Sequence, residues 1–142
     1  MGPKSKPVKI IMDSNALFVP LQFRIDIFEQ IGKLLNMRFE LILLSSIRRE
    51  LEKLAKNGSS KMQKNASYAL KMAEKCKLIE LDEKISDSSP DDSIFQVARE
   101  WNSPVFTNDK KLRKRLRDIN VPVIYVREKS RLEIDGRIRR FV

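Results

Sequence analysis

Histidine is absent from this chain. That gap removes Ser-His-Asp triads, Cys-His nucleophiles, imidazole acids and bases, and histidine-ligated zinc. A single cysteine, Cys76, excludes a disulfide framework and a cysteine metal cluster, and fits a reducing compartment. Glycine is scarce, with four in all, and neither a P-loop nor a dinucleotide-binding glycine motif is present. No apolar run approaches the ~18 residues that a membrane helix needs. Met1–Pro7 is short and polar and lacks the apolar core of a signal peptide. The expectation is a cytoplasmic protein with no membrane partner.

What is present is charge, and it is unevenly spread. The chain has 142 residues, 42% of them hydrophobic and 34% charged, with a net charge of +10. Residues 1–109 carry 17 basic and 15 acidic side chains, whereas residues 110–140 carry 12 basic and 4 acidic. Such a gradient favours a polyanionic partner, nucleic acid first and an anionic membrane second.

Hydrophobic spacing alternates between two periods along the chain. Val8–Met12, Phe39–Leu44, Leu78–Leu81, Pro104–Thr107 and Val121–Val126 read as strands. Between them, residues 24–35 place Ile25, Phe28, Ile31, Leu34 and Leu35 at three- and four-residue spacings, the pattern of an amphipathic helix. A second helix is capped by Ser45 or Ser46 and broken at Asn57-Gly58-Ser59-Ser60, and a third carries Met62, Ala66, Ala69 and Leu70. Ser86–Ser89 reads as a polar loop, Pro90 as the first position of a further helix, and Lys110–Arg117 as a basic helix. This alternation predicts an α/β fold: three layers, α/β/α, around a mostly parallel sheet of about five strands. A single domain is expected over residues 1–142, with its core at 8–126 and a basic extension at 127–142. In that extension Asp135-Gly136 signals a C-terminal β-hairpin. A three-residue loop there would pair Leu132 with Ile138 and Glu133 with Arg137.

Ligands of open parallel sheets bind beyond the carboxyl ends of the strands. The residues expected at that rim are acids. Asp13 follows the first strand, Glu50 lies one turn into the helix after the second, Asp91 and Asp92 open the helix at Pro90, and Asp109 follows the fourth strand. Taken singly, each fits ordinary turn or helix-capping chemistry. Together, like charges converging on one rim repel unless a cation holds them. All-oxygen donors select Mg²⁺ or Mn²⁺ over zinc. A divalent-metal site beside a basic stretch points to phosphodiester chemistry.

These motifs resemble those of the PIN-domain ribonucleases. The resemblance rests on Asp13 in MDSNAL, Glu50 in SSIRREL, Asp91 in DDSIFQVA and Asp109 in VFTNDKKL, and spans about residues 8–126. The DSNALFVPLQF opening and the TNDKKLRKRLR…VPVIYV run look most like archaeal PIN proteins close to small-subunit processome endonucleases and VapC-type toxins. The resemblance implies a metal-dependent endoribonuclease in which Asp13, Glu50, Asp91 and Asp109 hold one or two Mg²⁺ or Mn²⁺ ions, with Asp92 as a further candidate. Its products would carry 5′-phosphate and 3′-hydroxyl ends. It also implies an RNA substrate, an antitoxin or a pre-ribosomal particle as partner, and a homodimer.

Ser14, Asn15, Thr107 and Asn108 are expected to orient the carboxylates. Lys110, Lys111 and Lys114, with Arg131, Arg137 and Arg139, are expected to position RNA. Two other phosphate chemistries fit poorly. A haloacid-dehalogenase-type phosphatase needs a second Asp where Asn15 stands, and a receiver domain needs its Asp after the third strand. The alternative from another class is a non-catalytic RNA-binding module, which would need the basic surface but not the acids.

Overall fold

The computed structural model describes residues 6–138. The first apolar run forms β1 (Val8–Met12), and Asp13 caps a single helical turn, α1 (Ser14–Leu17). A second short helix, α2 (Val19–Phe23), carries Pro20 in its first turn. Neither α1 nor α2 is evident from residue spacing, because each is too short to show a period. The next helix, α3 (Ile27–Leu35), starts later than the apolar spacing from residue 24 suggests. Arg24 sits in the left-handed region at φ 54°, and Asp26 caps the helix by accepting the Glu29 N–H at 3.1 Å.

β2 (Phe39–Leu44) leads directly into α4 (Ser45–Asn57). Neither Ser45 nor Ser46 is its cap. Leu44 holds that position in extended conformation without a side-chain bond. Both serines are buried in the first turn, where the Ser45 hydroxyl accepts the Leu81 N–H at 3.0 Å. After Gly58, Ser59 caps α5 (Ser60–Ala73), and the chain enters β3 (Lys77–Ile79), a strand shorter and earlier than 78–81. A helical turn that spacing does not show, α6 (Glu83–Ser86), is capped by Asp82 and takes in the first residue of the expected loop, whose remainder, Asp87–Ser89, is non-helical. α7 (Pro90–Trp101) begins at its proline, with Ser89 as cap. β4 (Val105–Phe106), α8 (Lys110–Asp118), β5 (Val123–Arg127) and β6 (Arg131–Asp135) complete the chain.

The sheet has six strands in the order β3-β2-β1-β4-β5-β6. β1 to β5 are mutually parallel, and β6 runs antiparallel to β5. Ile10, Ile11 and Met12 of β1 and Leu41 to Leu44 of β2 are buried without alternation. Strands buried on both faces require helices above and below, which is the three-layer arrangement. The chain leaves β1 toward β2 and β3, then returns to place β4 on the other side of β1. That reversal opens a crevice beyond the carboxyl ends of β1 and β4, where Asp13 and Asp109 stand.

The C-terminal hairpin exists, but not at Asp135-Gly136. It joins β5 to β6 through Glu128–Ser130, with Val126 opposite Leu132 and Ile124 opposite Ile134. The expected pairing of Leu132 with Ile138 does not occur. An isolated two-strand hairpin is marginal in water, whereas β6 on the edge of β5 buries its apolar pairs against a formed sheet. Glu128 and Lys129 both take positive φ, at 52° and 58°, so the turn lacks the usual Asn or Gly signal. Gly136 serves a different end. At φ 97° it lies where a Cβ would collide with the Arg117 guanidinium.

Candidate active site

Asp13 is the centre of the crevice and is 4% exposed. Its Oδ1 accepts the Ser14 N–H at 2.7 Å, and its Oδ2 accepts the Thr107 hydroxyl at 2.6 Å and the Asn15 amide at 3.2 Å. The network continues outward. Asn15 Oδ1 accepts the Asn108 N–H at 3.0 Å, Asn108 Oδ1 accepts the Val126 N–H at 2.8 Å, and Thr107 Oγ1 accepts the Asp109 N–H at 3.1 Å. One set of short polar side chains thus stitches together the ends of β1, β4 and β5. Asn15, Thr107 and Asn108 take part through their side chains, and Ser14 through its backbone.

The bonds around Asp13 come from neutral donors, and the charges facing it are negative. Burial raises its carboxyl to about 6; the bonds from Thr107 and Ser14 oppose the rise, and Asp91 and Glu50 add to it. Asp91 shifts up as well, first through burial and then through Asp109 and Glu50, with Arg115 opposing. Asp91 and Glu50 therefore lie within electrostatic reach of Asp13, and Asp109 and Glu50 within reach of Asp91. Asp109 keeps its capping role at the same time: its Oδ1 accepts the Lys111 and Leu112 N–H groups at 2.8 and 3.2 Å.

Asp92 behaves differently. Arg115 bonds it at 2.9 Å and draws its carboxyl below the usual range, so its charge is already matched. The Arg115 guanidinium also lies 4.5 Å from the centre of the Phe95 ring. Sequence spacing gave no hint of this bridge between α7 and α8. A second bridge that spacing does not show ties α4 to α7: the Ser46 and Ser93 hydroxyls meet at 2.7 Å, and Ser93 donates to the Pro90 carbonyl at 2.8 Å. Ser46 lies one helical turn before Glu50, so this bond fixes Glu50 relative to the Asp91 end of α7. Cys76 stays outside the site, and burial pushes its thiol up to about 11, leaving it protonated and inert.

Four carboxylates without imidazole or thiolate form the donor set of a hard divalent cation. The donor types and their unbalanced charge fit such an ion. Among the described residues, no three acids are gathered closely enough to hold one ion as they stand. As they stand, Asp13 is turned onto Thr107 and Asp109 onto its helix amides.

The basic residues expected to meet RNA divide into groups. Lys110, Lys111 and Lys114 are exposed on α8, whose buried Leu112 and Leu116 fix its orientation. Arg131 is occupied by Glu128 at 3.2 Å and Glu133 at 3.1 Å. Arg137 lines a hollow with Pro104 and Pro122, at the amino ends of β4 and β5 and thus at the far end of the sheet from Asp13. It is therefore not part of this site, because β6 runs antiparallel and carries the chain away from the rim. Arg139 lies outside the described residues.

A family model described as a PIN like domain matches residues 10–129. Ribonuclease VapC4 of Methanocaldococcus jannaschii is 35% identical over 131 residues, covering 92% of this chain and 98% of that protein. Ribonuclease VapC9 of Archaeoglobus fulgidus is 28% identical over 134 residues, covering 94% of each. Among solved structures, the PIN domain endonuclease Utp24 superposes with a TM-score of 0.77 at 26% identity, covering 96% of this chain and 97% of its own.

Proposed function

The chain belongs to the PIN-like domain family, and from that premise we propose that it is a divalent-metal-dependent endoribonuclease. The observation that carries this reading is Asp13: a buried carboxylate held by neutral donors and faced by Asp91 and Glu50. A fold gains no stability from such an arrangement, whereas a cation site needs it.

Asp13, Glu50, Asp91 and Asp109 would hold Mg²⁺ or Mn²⁺. When bound, the ion supplies positive charge for the phosphodiester oxygens and a water acidic enough to attack at neutral pH. The protein's own part is orientation. Thr107 and Ser14 fix both oxygens of Asp13, Asn15 and Asn108 lock the strand ends, and the Ser46–Ser93 bond sets Glu50 against α7. Lys110 and Lys111 meet the phosphate backbone beside Asp109, with Lys114 one turn further on. Their place in the first helical turns opposes the macrodipole and makes little sense for stability alone.

The named ribonuclease relatives, matched over nearly their whole length, support a toxin of a toxin–antitoxin pair, with an antitoxin as protein partner. The test is direct. Labelled RNA is incubated with the protein and Mn²⁺ or Mg²⁺, with and without EDTA. Internal cleavage that EDTA abolishes is expected. Cleavage that survives EDTA, or none with either metal, overturns the reading and leaves a non-catalytic RNA-binding module.

A further inference from the structure

A groove of about 660 Å³ opens beside the acid site, lined by Asn15, Thr107 and Lys110 and by Glu128 and Lys129 of the β5–β6 turn. Its apolar surface comes from Phe23 at the end of α2 and Tyr125 on β5, both half-buried. One face of Tyr125 is covered by the Arg113 guanidinium, 3.7 Å from the ring centre, and Asp135 fixes that guanidinium at 3.1 Å. Arg113 also lines the groove, so the ring and the guanidinium stacked on it form one wall.

The charges along the groove are unequal. Among the described residues lining it, Glu128 is the one acid and is engaged by Arg131 at 3.2 Å, while Arg127 is engaged by Glu133 at 3.5 Å and Arg113 by Asp135 at 3.1 Å. Lys110 and Lys129, both exposed, take part in none of the ion pairs among the described residues. Lys129 reaches this position from a left-handed backbone at φ 58°, where a glycine or asparagine would sit with less strain. Two unpaired ammonium groups flank two aromatic rings, and the whole borders the network that holds Asp13.

We propose that this groove is a nucleotide subsite for single-stranded RNA, in which a base stacks on Tyr125 and Phe23 and the flanking phosphates are held by Lys110 and Lys129. Stacking accepts any base through its π face, so the subsite would hold the strand next to the cleaved bond with little sequence preference. The proposal rests on the endoribonuclease reading above and adds the path of the strand on one side of the acids.

The experiment uses Asp13→Asn protein, so that the RNA stays intact, and a fluorescein-labelled single-stranded oligoribonucleotide of about ten nucleotides. A second copy of the probe carries 2-aminopurine, whose fluorescence is quenched on stacking. Lys129→Glu is expected to weaken binding about tenfold and to flatten the dependence of log K on log salt by about 0.7 for each phosphate no longer neutralised. Tyr125→Leu is expected to weaken binding about tenfold and to remove the quenching, with Phe23→Leu as a second aromatic variant should removal of the Arg113 stack unfold the first. Lys61→Glu on α5, outside the groove, makes the same charge change and serves as the control. If the Asp13→Asn protein binds RNA and the groove variants behave like Lys61→Glu, the groove proposal fails while the ribonuclease reading stands. If the Asp13→Asn protein binds no RNA the groove proposal fails, and the ribonuclease reading fails with it only if the parent protein also cleaves no RNA with Mn²⁺ or Mg²⁺.

Discussion

Two carboxylates at opposite ends of the sheet show how differently this fold treats charge. Asp135, at the end of β6, is gripped by Arg113 at 3.1 Å and Arg117 at 3.2 Å. Asp13, at the end of β1, is more deeply buried, has no ion-pair partner among the described residues, and faces Asp91 and Glu50. At the far end charges are matched and the chain closes neatly over Gly136. At the carboxyl rim they are left unmatched, so stability is given up where a ligand of opposite charge belongs. That difference is a physical reason, independent of any relative, for proposing the rim as the functional site.

The largest way to sharpen this comparison is Asp13→Asn. If the rim holds a catalytic cation, cleavage should fall by about three orders of magnitude, the equivalent of several kcal/mol of lost charge stabilisation. Thermal melts in EDTA should show a midpoint equal to or above that of the parent protein, because one repelled charge is gone. A clearly lowered midpoint would instead assign Asp13 to structure alone, as the cap of α1, a role worth about 1 kcal/mol.

The same contrast predicts a pH dependence. Asp13 is raised to about 6 from 3.8, so the folded state holds its proton more tightly than the unfolded chain does. This carboxyl therefore weakens metal-free stability as pH rises from about 4 to 6. The cost, on the order of 2–3 kcal/mol, is fully present above that window. Subtracting the stability of Asp13→Asn from that of the parent at each pH isolates the effect. A flat difference would show that Asp13 is not strained as the rim geometry requires, and added Mg²⁺ or Mn²⁺ should reduce the slope.

Thr107→Val sits between the extremes. Its hydroxyl is the 2.6 Å donor that lowers the Asp13 pKa, and it also receives the Asp109 N–H. Removing it should reduce cleavage about 10- to 100-fold, the usual effect of losing a group that orients a ligand. It should also move the lower limb of the pH–rate profile upward, since Asp13 then loses a bond that favours its charged form. A loss of rate with an unmoved profile would mean that Thr107 acts by packing rather than through Asp13.

How much of this was legible in the residues divides along local and non-local lines. β1 and β2 follow from apolar runs, α7 from Pro90, Asp13 and Asp109 from their place just after strands, and Glu50 and Asp91 from the first turns of the helices that carry them. The dual role of Asp109, cap and rim acid, is visible in its position before a basic helix. The turn at Glu128 and Lys129 was hidden because neither residue type favours positive φ, and Asp135-Gly136 offered a more familiar turn nearby. The misplacement of Arg137 has the same origin: which end of the sheet it reaches depends on β6 pairing with β5, an interaction that no local spacing encodes. Ser46 reads as a helix cap until α7 brings Ser93 against it. The groove at Tyr125 likewise exists only once β5, α2 and α8 have assembled.

The smallest expected effect comes from the matched end. Asp135→Asn removes a carboxylate from two guanidinium groups that are each about a third exposed, so solvent already screens the pairs. A loss of up to about 1 kcal/mol in chemical denaturation is expected. Arg113 keeps its stack on Tyr125, and the apolar pairs Ile124–Ile134 and Val126–Leu132 still hold β6 in place. Cleavage should stay within about twofold of the parent rate, less than a 1 kcal/mol change in barrier. The sign of the stability change is what matters. Neutralising Asp135 should destabilise, whereas neutralising Asp13 in EDTA should not, and melts of the two variants side by side test the contrast. If both variants lose stability equally, the two ends of the sheet do not differ in how they balance charge, and the rim loses its physical claim to a cation.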